Sequence, residues 1–177
     1  MTNTNYDKMD RMVALGRLND CNLRVNAYQA VKTDAFRLSY SQFWEGYRRL
    51  FSAGLVVACS EPVVRAVMGL PNVQSPCGRK SIRINPRGQI VPCVYWPNGS
   101  SDMKTTVDLA RLGEEILNEH AFQMARLDPP LASDCACKGG CASRRALNGR
   151  LDAHDEFCPW VKGEVINLEW KPAPAKD

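Results

Sequence analysis

The sequence predicts an α/β chain that passes after residue 72 into a small cysteine-rich unit with a β-hairpin and helices. Three observations predict it. Apolar spacing over residues 1–70 runs helix, strand, helix, strand, helix, and this alternation marks parallel α/β units. Six of the 8 cysteines fall between Cys77 and Cys158. Two of these, Cys77 and Cys93, bracket a segment with hairpin patterning. The expected divisions are 1–72, 73–165 and a tail, 166–177.

Residues 1–20 read as a helix. Asn3, Thr4 and Asn5 offer caps, and Met9, Met12, Val13 and Gly16 recur on one face. Leu23, Val25 and Ala27 then alternate with polar residues, as in a strand. Tyr28, Gln29 and Lys32 sit at the carboxyl end of that strand, where α/β units gather ligands. Ser39 and Gln42 form a capping box for a helix over about 39–52. Its apolar face is Phe43, Trp44, Tyr47, Leu50 and Phe51, a core face by spacing. Gly54 stops it, and Leu55 to Ala58 read as a short buried strand. Ser60 is the expected cap of the next helix, with Pro62 in its first turn. Cys59 reads as a buried structural thiol. Two strands do not make a stable doubly covered sheet, so the segment reads as the end of a larger α/β domain with a missing partner.

From Cys77 the pattern changes. Ile82 and Ile84 alternate with Arg83 and Asn85, Pro86-Arg87-Gly88 turns the chain, and Gln89 to Cys93 returns it. Both flanking thiols then lie near the open end of the hairpin. Asp108 to Leu127 is patterned as a helix, with Leu109, Leu112, Ile116 and Leu117 on one side, and Asp128-Pro-Pro130 breaks it. A basic helix is expected from about Ala142 to Asn148. Its Arg144 and Arg145 either offset the charge of thiolate ligands or form a solvated face.

Composition limits the function. Apolar residues make up 45% and charged residues 24%, as in an ordinary globular protein. The net charge of +4 is scattered, so no nucleic-acid stripe is expected. The longest apolar run, Gly54 to Cys59, is too short to span a bilayer, so no membrane is expected. No signal segment opens the sequence, which reads as cytoplasmic. Asn98-Gly-Ser100 is then a turn rather than a glycan acceptor.

In a reducing compartment, clustered cysteines point to metal or redox chemistry before disulfides. Cys135, Cys137 and Cys141 lie in DCACKGGC, and Cys158 follows in DEFCPW. The two glycines between Cys137 and Cys141 let the backbone turn sharply, and their N–H groups can approach a sulfur ligand. His120 and His154 lack ligand spacing to the cysteines, although His154 is only four residues before Cys158.

The order Cys77, Gly88, Cys93, then Cys137-x3-Cys141, then Cys158 resembles the SPASM domain, the auxiliary iron–sulfur unit that follows the barrel in radical SAM (S-adenosylmethionine) peptide maturases. The resemblance covers residues 77–160. More loosely, residues 1–70 resemble the last strands and helices of the radical SAM partial (β/α) barrel. The family implies auxiliary [4Fe–4S] clusters, one sharing Cys77, Cys93 and Cys141 and another sharing Cys135, Cys137 and Cys158. It also implies a peptide or protein substrate and an electron donor such as a ferredoxin or flavodoxin.

The chain departs from that pattern in two ways. Cys135-x-Cys137 replaces the family's C-x2-C-x5-C, so each cluster is one ligand short of the four that a fully ligated [4Fe–4S] unit takes. Asp134 is a candidate oxygen ligand, with a turn or cap aspartate as its bland reading. One cluster is also compatible with the pattern, as in a shortened domain of this kind. The radical-generating C-x3-C-x2-C loop is absent from the sequence. Cleavage of S-adenosylmethionine would therefore need either the N-terminal half of a truncated or split enzyme or a second chain carrying the radical SAM core. The rival expectation is a structural zinc-binding module for protein interaction, since four thiolates suffice for zinc.

Overall fold

The computed structural model describes residues 1–54, 61–71, 74–79, 81–97, 103–130 and 135–170. The expected strand at Leu55–Ala58, Cys59, the Ser60 cap, the Asn98 turn, Asp134 and residues 171–177 lie outside them. The elements are α1 (Met9–Leu18), α2 (Tyr40–Ser52), α3 (Pro62–Val67), β1 (Arg83–Ile84), β2 (Ile90–Val91), α4 (Thr106–Leu112), α5 (His120–Arg126) and α6 (Ala142–Leu147), with 3-10 turns at Tyr6–Lys8, Gly113–Asn118 and Trp160–Lys162.

The first helix is shorter than the expected 1–20: α1 starts at Met9, with Lys8 rather than Asn3, Thr4 or Asn5 at its N-cap position and no side-chain cap, after a 3-10 turn at Tyr6–Lys8. α1 buries Met9, Val13 and Gly16, while Met12 stays exposed. α2 opens on the complete capping box: the Ser39 hydroxyl accepts from the Gln42 N–H, and the Gln42 side chain accepts from the Ser39 N–H. All five residues of its expected apolar face are buried. The N-cap position of α3 is Glu61, which makes no side-chain capping bond, and Pro62 takes the first helical position, where its missing N–H costs nothing.

The expected strand at residues 22–31 is an irregular segment instead. Burial alternates as a strand's would, with Leu23 and Val25 half-buried, Ala27 buried and Asn22, Arg24 and Asn26 exposed. No neighbouring strand among the described residues supplies a ladder. The segment is held by Met1, whose ammonium donates to the Asn26 carbonyl (2.7 Å) and whose carbonyl accepts from the Tyr28 N–H (2.8 Å). Where a partial barrel is expected over residues 1–72, the described residues form α1, α2 and α3 and no paired strand.

The hairpin is present and short, with Arg83 opposite Val91 and Ile84 opposite Ile90. Asn85 shapes its turn, its side-chain oxygen accepting from the N–H groups of Arg87 and Gln89 at 3.0 Å each. The helix expected over 108–127 is divided into α4, a 3-10 turn and α5. Gly113, at φ +55° and ψ −128°, ends α4 in a region that side chains avoid, and Glu119 is extended. Ile116 and Phe122 are nonetheless buried, beside Ile90 of the hairpin.

The main core joins the two halves of the sequence. Residues from α1, α2 and α3 cluster with Cys135, Cys137, Phe157, Cys158 and Ile166. Phe43 stacks on Phe157 with ring centroids 4.0 Å apart, and the Trp44 indole donates to the Phe157 carbonyl at 3.1 Å. Residues 166–170, expected as tail, place Ile166 in this core. Among the described residues no helix is long and apolar enough to cross a membrane.

Candidate metal centre

The cysteine-rich loop packs on α2, and its turn is set by backbone chemistry. The Lys138 N–H donates to the Cys135 carbonyl and the Gly140 N–H to that of Cys137. Lys138, Gly139 and Gly140 all have positive φ. At Gly140 the requirement is double: φ is +68°, and a Cβ would fall 2.5 Å from the Asp155 Cβ. Glycine alone meets both conditions.

This turn sends Cys137 and Cys141 to different places. Cys137 joins Cys135 and Cys158, with sulfur–sulfur distances of 2.7 Å (Cys135–Cys137), 3.0 Å (Cys135–Cys158) and 3.3 Å (Cys137–Cys158). All three are buried free thiols. The Cys137 and Cys158 thiols and the N–H groups of Cys137 and Gly139 stabilise charge on the Cys135 sulfur, which holds its thiol well below the usual range. The same sharing raises Cys137, and raises Cys158 to about 11. Three sulfurs this close together are a donor set for a soft cation, which displaces thiol protons as it binds. A His154 ring nitrogen lies within 4.8 Å of the Cys135 and Cys158 sulfurs.

The second group forms at the open end of the hairpin. The Gly78 N–H donates to the Pro92 carbonyl at 3.1 Å, which sets the segments of Cys77 and Cys93 side by side. Cys93 is pushed down to about 6, first by the Cys77 thiol and then, against its own burial, by the Tyr95 N–H, the Ser143 hydroxyl and the Arg83 charge. Cys77 rises, chiefly because its proton is shared with Cys93. Cys141 is raised by burial. Its sulfur accepts from the Gln29 amide at 3.4 Å and lies 3.2 Å from the Ser143 hydroxyl, which in turn donates to Gln29 at 3.0 Å. A cavity of about 360 Å³ borders Cys77, Cys93, Cys141, Gln29, Ser143 and Arg83.

These shifts set an order of reactivity. In metal-free chain, alkylation of Cys93 by iodoacetamide is expected to climb as pH rises through about 6 and to level off above 7, because the thiolate is the nucleophile. Cys77 and Cys141 are buried and should lag at every pH. Peptide mapping of the alkylated chain checks this, and a Cys93 rate still climbing at pH 9 would contradict the arrangement.

Arg144 and Arg145 are buried rather than on a solvated face. Arg144 donates to both Asp155 oxygens (2.8 and 2.7 Å) and to Glu61 (2.6 Å), and its guanidinium lies over the Phe157 and Phe43 rings. Asp155 also accepts from the N–H groups of Cys141 and Phe157. Sequence reasoning missed Asp155, Glu61 and Ser75, whose hydroxyl accepts from the Ala142 N–H. The signal for Asp155 was the Asp-x-Phe spacing, which suits an aspartate bonding the N–H two residues on. Of the three residues proposed at the strand end, Gln29 reaches a cysteine, Tyr28 donates to the Thr33 carbonyl and Lys32 is exposed. His120 begins α5 and joins neither sulfur group.

The chain matches no protein-family model, no curated protein and no solved structure.

Proposed function

We propose that this chain is an auxiliary iron–sulfur module of the kind found in radical SAM/SPASM maturases. In this reading Cys77, Cys93 and Cys141 hold one [4Fe–4S] cluster, and Cys135, Cys137 and Cys158 hold a second. One observation carries the reading: the sulfurs of Cys135, Cys137 and Cys158 meet, while Cys77, Cys93 and Cys141 border one cavity. Buried thiolates with N–H and amide donors on their sulfurs are a chemically suitable set for such clusters. Bound there, the clusters would pass single electrons or anchor a peptide or protein substrate. The cavity of about 360 Å³ bordered by Cys77, Cys93 and Cys141 would leave room for a substrate group beside a cluster held there. Radical generation would belong to a second chain carrying the radical SAM core, with electrons from a ferredoxin or flavodoxin in the cytoplasm.

A second reading is favoured at one site by a specific distance. The Cys135, Cys137 and Cys158 sulfurs lie 2.7–3.3 Å apart, whereas thiolates sharing one zinc ion with bonds of 2.3 Å stand roughly 3.8 Å apart. Thiolates on separate irons of a cubane stand farther apart still. The triad is thus nearer to the spacing of a single zinc ion, for which its sulfurs would have to spread, than to that of separate cluster irons, and the module would then serve protein interaction.

Anaerobic reconstitution with iron and sulfide separates the two readings. Wild type is expected to bind about eight irons and absorb near roughly 400 nm, with about four lost in Cys93→Ala and about four in Cys158→Ala. A colourless chain that takes up zinc stoichiometrically and no iron would overturn the iron–sulfur reading.

A further inference from the structure

We propose that the His154 imidazole is the fourth ligand of the Cys135–Cys137–Cys158 site, making it a centre of three sulfurs and one nitrogen. The inference rests on reading that triad as a metal site, and it holds whether the occupant is a cluster iron or a single ion.

Three observations meet at His154. A ring nitrogen lies within 4.8 Å of the sulfurs of Cys135 and Cys158, a group that does not include Cys137, so the Cys137 sulfur or the ring has to shift for all four to reach one ion. The Nδ1 atom is buried and has no hydrogen-bond partner. A buried ring nitrogen without a partner is costly, and a bound ion is one of the few things that removes the cost. Third, the loop carrying His154 is fixed from below. Asp155 accepts from Phe157 N–H at 3.0 Å and from Cys141 N–H at 2.7 Å, and its carbonyl accepts from Cys158 N–H at 3.0 Å. Holding His154 and Cys158 on one braced turn favours them as partners at one ion, because little freedom is lost on binding.

The chemistry of the donor set agrees. Three cysteines leave a tetrahedral ion one ligand short, and a three-cysteine, one-histidine set is a recognised complete set for zinc. A histidine in place of the fourth thiolate would also leave an iron–sulfur unit less negative and raise its potential, as nitrogen ligation does in other centres.

The test uses Co²⁺ as the probe, titrated anaerobically into the full chain carrying Cys77→Ala and Cys93→Ala, so that one thiolate triad remains. The chain is expected to show visible bands of tetrahedral cobalt with mixed sulfur and nitrogen ligation. His154→Ala should weaken Co²⁺ binding by at least about 10–100-fold, the loss that follows even from removing an outer-shell partner. His154→Cys should restore affinity and shift the bands to an all-thiolate pattern. Should His154→Ala leave affinity and bands unchanged while Cys158→Ala abolishes them, the proposal falls and the metal site stands. A parent chain that binds neither Co²⁺ nor iron overturns both. A second measurement needs no variant: wild type labelled with ¹⁵N-histidine, loaded with iron and sulfide and reduced, should show the strong nitrogen coupling of a directly bound imidazole in pulsed electron paramagnetic resonance. A cluster signal without that coupling, combined with an unchanged Co²⁺ response in His154→Ala, overturns the proposal.

Discussion

Asp155→Ala is expected to destabilise the metal-free chain by about 3–5 kcal/mol, the loss that follows when one partner of a buried ion pair is removed. The side chain is almost wholly buried, at 2% exposure. It faces a guanidinium that is equally inaccessible and that has one other carboxylate partner, Glu61. Alanine leaves Arg144 with half its countercharge and leaves the N–H groups of Cys141 and Phe157 without an acceptor. Asp155→Asn keeps an acceptor oxygen and the shape but removes the charge, so its loss should be smaller. Urea unfolding of both variants beside wild type measures the difference. A loss below about 1 kcal/mol in Asp155→Ala, the scale of an exposed pair, would show that this aspartate is not the buried brace described here.

Phe43→Ala is expected to cost a comparable amount, about 3–5 kcal/mol, as for other large aromatics removed from a core. Phe43 is 0% exposed. It packs against Trp44 and Tyr47 on its own helix, and its face lies on Phe157, immediately before Cys158. The second part of the expectation concerns metal. Removal of the ring loosens the support of the Cys158 loop, so Co²⁺ affinity at the Cys135 triad should fall with stability. Chemical unfolding followed by far-ultraviolet circular dichroism, run beside a Co²⁺ titration, reads both. Two separate transitions, with Phe43→Ala shifting only one and metal affinity unchanged, would mean that α2 and the cysteine loop do not share a core.

Local signals were the legible ones. α2 could be read almost residue by residue, because its capping box and its aromatic face both lie within one short stretch. The hairpin was legible for the same reason, since Asn85 to Gly88 is a self-contained turn. The segment 22–31 was not, because alternating burial gives a strand only when a neighbour supplies hydrogen bonds. Helical spacing over 108–127 concealed the break at Gly113, where backbone freedom outweighed periodicity. At the candidate site, the cysteine types were plain from the sequence, but no local pattern says which sulfurs meet. The buried Glu61–Arg144–Asp155 cluster joins residues 83 and 11 positions apart, and no local pattern announces such a contact. His154 was noted only for its nearness to Cys158, since spacing along the chain does not reveal that a ring nitrogen also lies within 4.8 Å of the Cys135 sulfur.

The core that joins α1–α3 to Cys135, Phe157 and Ile166 has a consequence for how the molecule is made. During synthesis, the aromatic face of α2 leaves the ribosome long before the segment that covers it. Until Phe157 arrives, Phe43 and Trp44 have no lid, and the nascent chain carries an adhesive surface through the intervening residues. Contacts this distant in sequence also slow folding, and a long-lived species with exposed apolar surface is prone to aggregate or to recruit chaperones. Chains arrested before residue 135 should therefore aggregate more readily than the full chain, as sedimentation of the two translation products would show.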